Sequence, residues 1–93
     1  MREIRFTGRF KRDYKREKSG RHGKTVDAVL MDVVNQLAAD SPLPRSNFDH
    51  LLSGDWADHR DCHIKPDLIL IYRKPDEEHL DLVRLGSHSE IGL

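Results

Sequence analysis

Lys65-Pro66-Asp67-Leu68-Ile69-Leu70-Ile71-Tyr72-Arg73 decides how the rest of this 93-residue chain is read. Proline and aspartate make Lys65-Pro66-Asp67 a turn. The run from Leu68 to Tyr72 is apolar at every position. A strand sends alternate side chains to opposite faces, so a run without a polar face suits a central strand buried on both sides. Leu68–Arg73 is therefore predicted as the centre of a sheet. Trp56–Ile64 reads as the strand before the turn. Pro75–Glu78 is the next turn, and His79–Gly86 a last strand. Turns this short join antiparallel neighbours only. His50-Leu51-Leu52, ahead of the turn at Ser53-Gly54-Asp55, completes this half.

Toward the N-terminus, residues 2–7 alternate polar and apolar and read as a short strand that Gly8 breaks. Phe10 and Tyr14 with their basic neighbours fit an amphipathic helix, with Lys11, Lys15 and Lys18 along one exposed side. The glycines of Ser19-Gly20-Arg21-His22-Gly23 make a turn. Thr25 is a candidate N-cap, and Val26, Val29, Leu30, Val33, Val34 and Leu37 fall at helical spacing. Asp40-Ser41-Pro42-Leu43-Pro44 ends this second helix, because proline cannot continue it. The order is β-α-α-β-β-β(-β). It predicts an α+β domain over residues 1–93, with two N-terminal helices packed on a small twisted antiparallel sheet.

Composition narrows the class. Hydrophobic residues make up 37% and charged residues 34%. The two apolar blocks still argue for a folded chain rather than a disordered one. Cys62 is the single cysteine, so an internal disulfide is ruled out and a reducing compartment is expected. No apolar run follows the basic N-terminal residues, and no stretch approaches the roughly 18 apolar residues of a membrane span. A cytoplasmic protein without a membrane partner is the expectation. The net charge of zero hides a split. Residues 1–24 hold ten Lys/Arg against three Asp/Glu, or +7, and residues 25–93 hold six against thirteen, or −7. Such asymmetry suits contact with a polyanion, or a solvated basic helix facing an acidic partner.

Six histidines are present, five of them after residue 49. On the predicted strand, His59, Asp61 and His63 share one face, and Arg60, Cys62 and Ile64 the other. Cys62 and Ile64 look like core, so His63 points to the open face. Asp67 follows across the turn, His88 follows the last strand, and His50 precedes the first strand of this half. All four can converge on one side of the sheet. Histidine moves protons near neutral pH. Attack by a ribose 2′-hydroxyl on its own phosphate needs a base, an acid and cations, which histidines and a carboxylate supply without a metal or cofactor. His59, Cys62 and His63 are the candidate metal ligands, but Cys62 and His63 face opposite ways and no Cys-x-x-Cys or His-Glu-x-x-His pattern is present. Ser53 and Ser87 lack a nucleophile-elbow context. Gly20–Thr25 lacks the spacing and preceding strand of a phosphate-binding loop.

The residues Asp49-His50, Gly54-Asp55-Trp56, His59-Arg60-Asp61-Cys62-His63 through Pro66-Asp67 to Tyr72, and Arg84-Leu85-Gly86-Ser87-His88 stand in an order that strongly resembles the YafQ family. These are toxins of bacterial type II toxin–antitoxin systems, within the RelE superfamily. The resemblance spans essentially the whole chain. It implies a fold like microbial ribonucleases and an endonuclease that cuts mRNA on the translating ribosome. It also implies a cognate antitoxin that blocks cleavage. It carries over His50, His63, Asp67 and His88 as the catalytic set, with His88 and Asp67 expected as the proton-transfer pair and His50 and His63 orienting the phosphate. Arg60 and Arg84 are candidate phosphate contacts. Lys11, Arg12, Lys15, Arg16 and Lys18 are expected to dock on ribosomal RNA through phosphates. The sequence departs from the family at Leu68, where an aromatic residue often follows Pro-Asp, and in the tail Ile91-Gly92-Leu93, where a phenylalanine is common. A non-catalytic module of the same fold is the alternative reading.

Overall fold

The computed structural model describes residues 1–93. The chain runs through β1 (Glu3–Phe6), α1 (Gly8–Ser19), α2 (Val26–Ala38), β2 (His50–Leu51), β3 (Arg60–Lys65), β4 (Leu68–Arg73), β5 (His79–Gly86) and the single turn α3 (His88–Ile91). Gly8 opens α1 rather than merely ending β1. Thr7 is the N-cap, and its hydroxyl accepts from the Phe10 N–H at 3.2 Å.

The sheet order is β1-β5-β4-β3-β2. Strands β2 to β5 pair antiparallel, as the short turns dictate. β1 differs: it pairs parallel with β5, Glu3 opposite His79 through Phe6 opposite Leu82. The sheet is therefore mixed, where the sequence predicted antiparallel pairing throughout. The reason is topological. After β1 the chain passes through both helices, enters at the far edge as β2, and walks back strand by strand until β5 lies beside β1.

The helices cover one sheet face. Phe10, Val26, Leu30, Val33, Val34 and Leu37 pack there against Cys62, Leu68, Leu70, Tyr72, Leu80, Leu82 and Leu85. On the opposite face Ile69 and Ile71 meet Ile91 of α3, with Leu52, Trp56 and Val83 alongside. β4 is thus buried on both sides, as its sequence requires. No helix is long and apolar enough to cross a membrane.

β3 starts at Arg60, not at Trp56 as the alternation suggested. Gly54–Trp56 forms a 3-10 turn, and Gly54 and Asp58 take left-handed backbone angles of 64° and 68°. These turn the chain twice, which a period-two pattern in side-chain polarity does not reveal.

Where β1 ends, α1 takes over the edge of β5. Asp13 is 4% exposed and accepts the Leu85 backbone N–H at 3.0 Å, a donor that β1 is too short to pair. It also accepts from Arg84 Nε at 2.6 Å and Arg16 Nη1 at 3.1 Å. Burial alone would raise the Asp13 carboxyl. The Arg84 and Leu85 hydrogen bonds and the two guanidinium charges outweigh it and hold the group below the ordinary carboxylate range. Asp13→Asn should cost about 3 kcal/mol in urea unfolding at neutral pH, because it leaves Arg84 without its counter-charge. A depressed folded value means that the contribution is full above about pH 4, where the unfolded carboxyl ionises, and fades as pH falls below it. The gap between variant and wild type should narrow on acidification. Equal stability at neutral pH would show that Asp13 does not hold this edge.

Candidate active site

Register places the reactive side chains in two rows on the face away from α1 and α2. In one row His50 lies opposite Asp61, Asp61 opposite Ile71, and Ile71 opposite Arg84. In the other, His63 lies opposite Ile69, and Ile69 opposite Gly86, two residues before His88. The predicted alternation holds, since Cys62 and Ile64 face the helices and Asp61 and His63 do not. The rings of His63 and His88 stand edge to face with centroids 5.5 Å apart. His50 Nδ1 is 3.0 Å from Asp61 Oδ1. Three of the four predicted catalytic residues therefore gather in one place.

What gathers them is Asp61, whose significance the sequence did not signal beyond its place between two outward histidines. It is 2% exposed, and its Oδ1 has no hydrogen bond. His50 Nδ1–H is aimed instead at the Phe48 carbonyl, 2.9 Å away. Burial raises the Asp61 carboxyl above the ordinary range. Positive charge on His50, His63 and His88 would pull it back, in that order of strength. A buried carboxylate beside three imidazoles is an arrangement that suits an acid/base centre.

His88 sits on α3, and α3 is held from both sides. Ser87 and Glu90 form a reciprocal capping box, and Ile91 is buried. Glu90 also pairs with Arg16 Nε at 3.1 Å, while Arg16 Nη2 donates to the Leu85 carbonyl at 2.9 Å. Arg16 thus ties α1 to the end of β5 and to the turn that carries His88. Gly86 leaves room for it: a Cβ there would lie 2.7 Å from Arg16 Nη2 and 3.3 Å from Glu90 Oε1.

Asp67 lies on the turn between β3 and β4. It pairs with Arg21 and, at 3.3 Å, with His22 Nε2, so it ties the β3–β4 turn to the loop between α1 and α2. It borders a cleft of about 310 Å³ shared with Arg21, His22, Ser87 and Glu90. Arg60 faces away from the histidines and pairs with Asp49 at 3.2 Å, which also accepts the Tyr72 hydroxyl at 2.6 Å. Arg84 is bound to Asp13. Neither arginine is free to meet a phosphate beside the histidines. His59 lies outside β3, with Nδ1 on the Ala57 carbonyl at 3.0 Å and its ring edge-on to Trp56.

Among the basic residues of α1, Lys18 is paired with Asp27 and Arg16 is used internally. Arg9, Lys11, Arg12 and Lys15 are exposed and have no acidic partner. Cys62 is fully buried, and burial pushes its thiol far above the range in which it would act as a nucleophile. No three His, Cys, Asp or Glu side chains gather in a set that could hold a metal ion.

A mixed five-stranded sheet with two helices on one face and clustered histidines on the other is the architecture of a small toxin nuclease. The profile of the family described as "Bacterial toxin of type II toxin-antitoxin system, YafQ" matches residues 2–92. The chain belongs to the YafQ family. It is 32% identical over 92 residues to the mRNA interferase toxin YafQ of Escherichia coli K12, covering 98% of this chain and 96% of that one. A copper-bound mutant toxin from Helicobacter pylori superposes with a TM-score of 0.88 at 37% identity, covering 98% of this chain and 99% of that one. YafQ in the DinJ–YafQ toxin–antitoxin complex of E. coli gives 0.81 at 32% identity, covering 97% and 96%.

Asp61→Asn should stabilise the fold by about 1 kcal/mol at pH 8, since it removes a buried carboxylate whose Oδ1 has no hydrogen bond. A raised folded value penalises the ionised form above both the folded and unfolded values, and the penalty disappears as the native carboxyl protonates. The advantage should therefore shrink as pH falls toward about 4. Thermal unfolding across that range checks it. A destabilised variant at pH 8 would mean that Asp61 is held by partners stronger than those described.

Proposed function

We propose that this chain is a ribosome-dependent mRNA endonuclease, the toxin of a type II pair, acting in the cytoplasm and inhibited by a cognate antitoxin. The observation that carries the proposal is the grouping of His50, His63 and His88 around buried Asp61 on the sheet face away from the helices. The E. coli relative's name, mRNA interferase toxin, and the DinJ–YafQ complex support the same reading.

Cleavage proceeds by attack of a ribose 2′-hydroxyl on the adjacent phosphorus. One neutral imidazole takes the hydroxyl proton, and one imidazolium gives a proton to the departing 5′-oxygen. His63 and His88 are adjacent and suit this exchange. His50, 3.0 Å from Asp61, balances charge on the phosphorane when it carries a proton. Asp67, which pairs with Arg21 and His22 and shares a cleft with Ser87, is the carboxylate expected to act with His88. No arginine is free beside the histidines, so charge stabilisation at the phosphate rests on the imidazoles and on the ribosome.

Docking on ribosomal RNA falls to Arg9, Lys11, Arg12 and Lys15, with Lys18 contributing less because of Asp27. Each phosphate neutralised steepens the salt dependence of binding by roughly 0.7–0.9 in log–log slope. Reversing Lys11 and Lys15 to glutamate should weaken ribosome binding and flatten its salt slope, whereas Lys18→Glu alone should do less. An unchanged slope in the double variant would place the docking surface elsewhere.

His88→Ala should abolish cuts mapped by primer extension on a reporter mRNA in a purified translation system, and should leave antitoxin binding intact. Cuts should also require ribosomes. Undiminished cutting by this variant would remove His88 from the chemistry. No cutting by folded wild type would favour a non-catalytic binding module.

A further inference from the structure

Phe48 carries two features that an ordinary surface residue does not need. Its side chain is 64% exposed, and its backbone lies in the left-handed region at φ 46°. Bulky residues rarely adopt that conformation, and it persists only where the surroundings enforce it. Here they do. The Phe48 N–H donates to the Arg45 carbonyl at 3.0 Å, and its carbonyl accepts from His50 Nδ1 at 2.9 Å. The preceding residue, Asn47, donates from Nδ2 to the His63 carbonyl at 2.7 Å. The segment is thus fixed to two histidines of the cluster at once. It holds the Phe48 ring 5.3 Å from the His63 ring, on the wall of an open cleft of about 420 Å³ shared with Asn47, Lys65 and Pro66. Lys65 donates to the Thr25 hydroxyl and has no acidic partner. Trp56, the other large ring on this face, is half-buried against the apolar cluster and His59.

We propose that Phe48 is a stacking platform for an RNA base next to the scissile phosphate, with Lys65 meeting the adjoining phosphate. The proposal rests on reading His50, His63 and His88 as the cleavage centre. A flat apolar ring beside an unpaired cation matches the two halves of a nucleotide, a base with a π-face and an anionic backbone. An aliphatic anchor from a protein partner would need neither the cation nor the neighbouring imidazole. Because every base has a π-face, the platform tunes position and rate more than it reads sequence.

The test compares wild type, Phe48→Ala and Phe48→Tyr on ribosomes translating a defined mRNA, with antitoxin affinity and thermal midpoint measured in parallel. Phe48→Ala should cut about tenfold more slowly, the lower end of what loss of one stacked base produces. Its thermal midpoint should stay close to that of wild type, since alanine meets the same left-handed backbone angle and no core side chain is lost. Phe48→Tyr, which keeps the π-face, should cut at the wild-type rate. A second measurement is independent of cleavage: titrating a 2′-O-methyl trinucleotide should move the Phe48 ring proton resonances upfield through the stacked base. Wild type that cuts while Phe48→Ala cuts equally fast overturns the platform. Weaker antitoxin binding by Phe48→Ala with unchanged cutting overturns it in favour of a protein contact. If wild type itself fails to cut, the cleavage reading falls. The ring resonances then decide: an upfield shift keeps the platform as an RNA contact, and its absence removes it.

Discussion

The double-sided burial of β4 is the constraint on which the remainder of the structure depends. Leu68, Leu70 and Tyr72 need one cover, and Ile69 and Ile71 need another. The first is supplied by α1 and α2, which bury most of the molecule's apolar surface. The second is thinner, made by Ile91 of α3 with Leu52, Trp56 and Val83. It leaves His50 exposed and Asp61, His63 and His88 at its margin. The same demand that builds the core therefore brings α3 down onto the sheet, and α3 carries His88. Packing and chemistry meet at Ile91, three residues from the ring it positions.

Two buried carboxylates divide the electrostatic work. Asp13 is fully partnered by Arg84, Arg16 and a backbone N–H, and its affinity for protons is lowered. Asp61 is equally hidden but leaves an oxygen without a hydrogen bond, and its affinity is raised. The first arrangement is what a stable ion pair looks like. The second is costly to the fold, and such groups cluster at functional sites. It is the physical feature that supports reading the histidine face as the candidate site.

Much of this was legible in the sequence, for physical reasons that can be named. Leu68–Tyr72 could only be a central strand, and the spacing from Val26 to Leu37 could only be a helix with a buried face. The strand alternation correctly sent Cys62 inward and His63 outward. Features that depend on long-range partners were hidden. The parallel pairing of β1 with β5 joins residues 76 positions apart, such as Glu3 and His79, and no local pattern encodes it. Arg84 and Lys18 looked free because their acidic partners, Asp13 and Asp27, lie on other elements. The pairing of Asp67 with Arg21, on the loop after α1, is another long-range contact that no local pattern encodes. The left-handed backbone angle of Phe48 was equally hidden, since it depends on contacts with Arg45 and His50.

The central claim is that the histidine cluster drives attack by the substrate's own 2′-hydroxyl. The most direct measurement is cleavage of an mRNA carrying a single 2′-O-methyl group at the nucleotide 5′ of the cut, on ribosomes stalled with that codon in place. The account predicts no cut at the blocked position, and a 2′,3′-cyclic phosphate or its 3′-phosphate hydrolysis product on the unmodified control. Cleavage at the blocked position, or a 3′-hydroxyl end on the control, would contradict it.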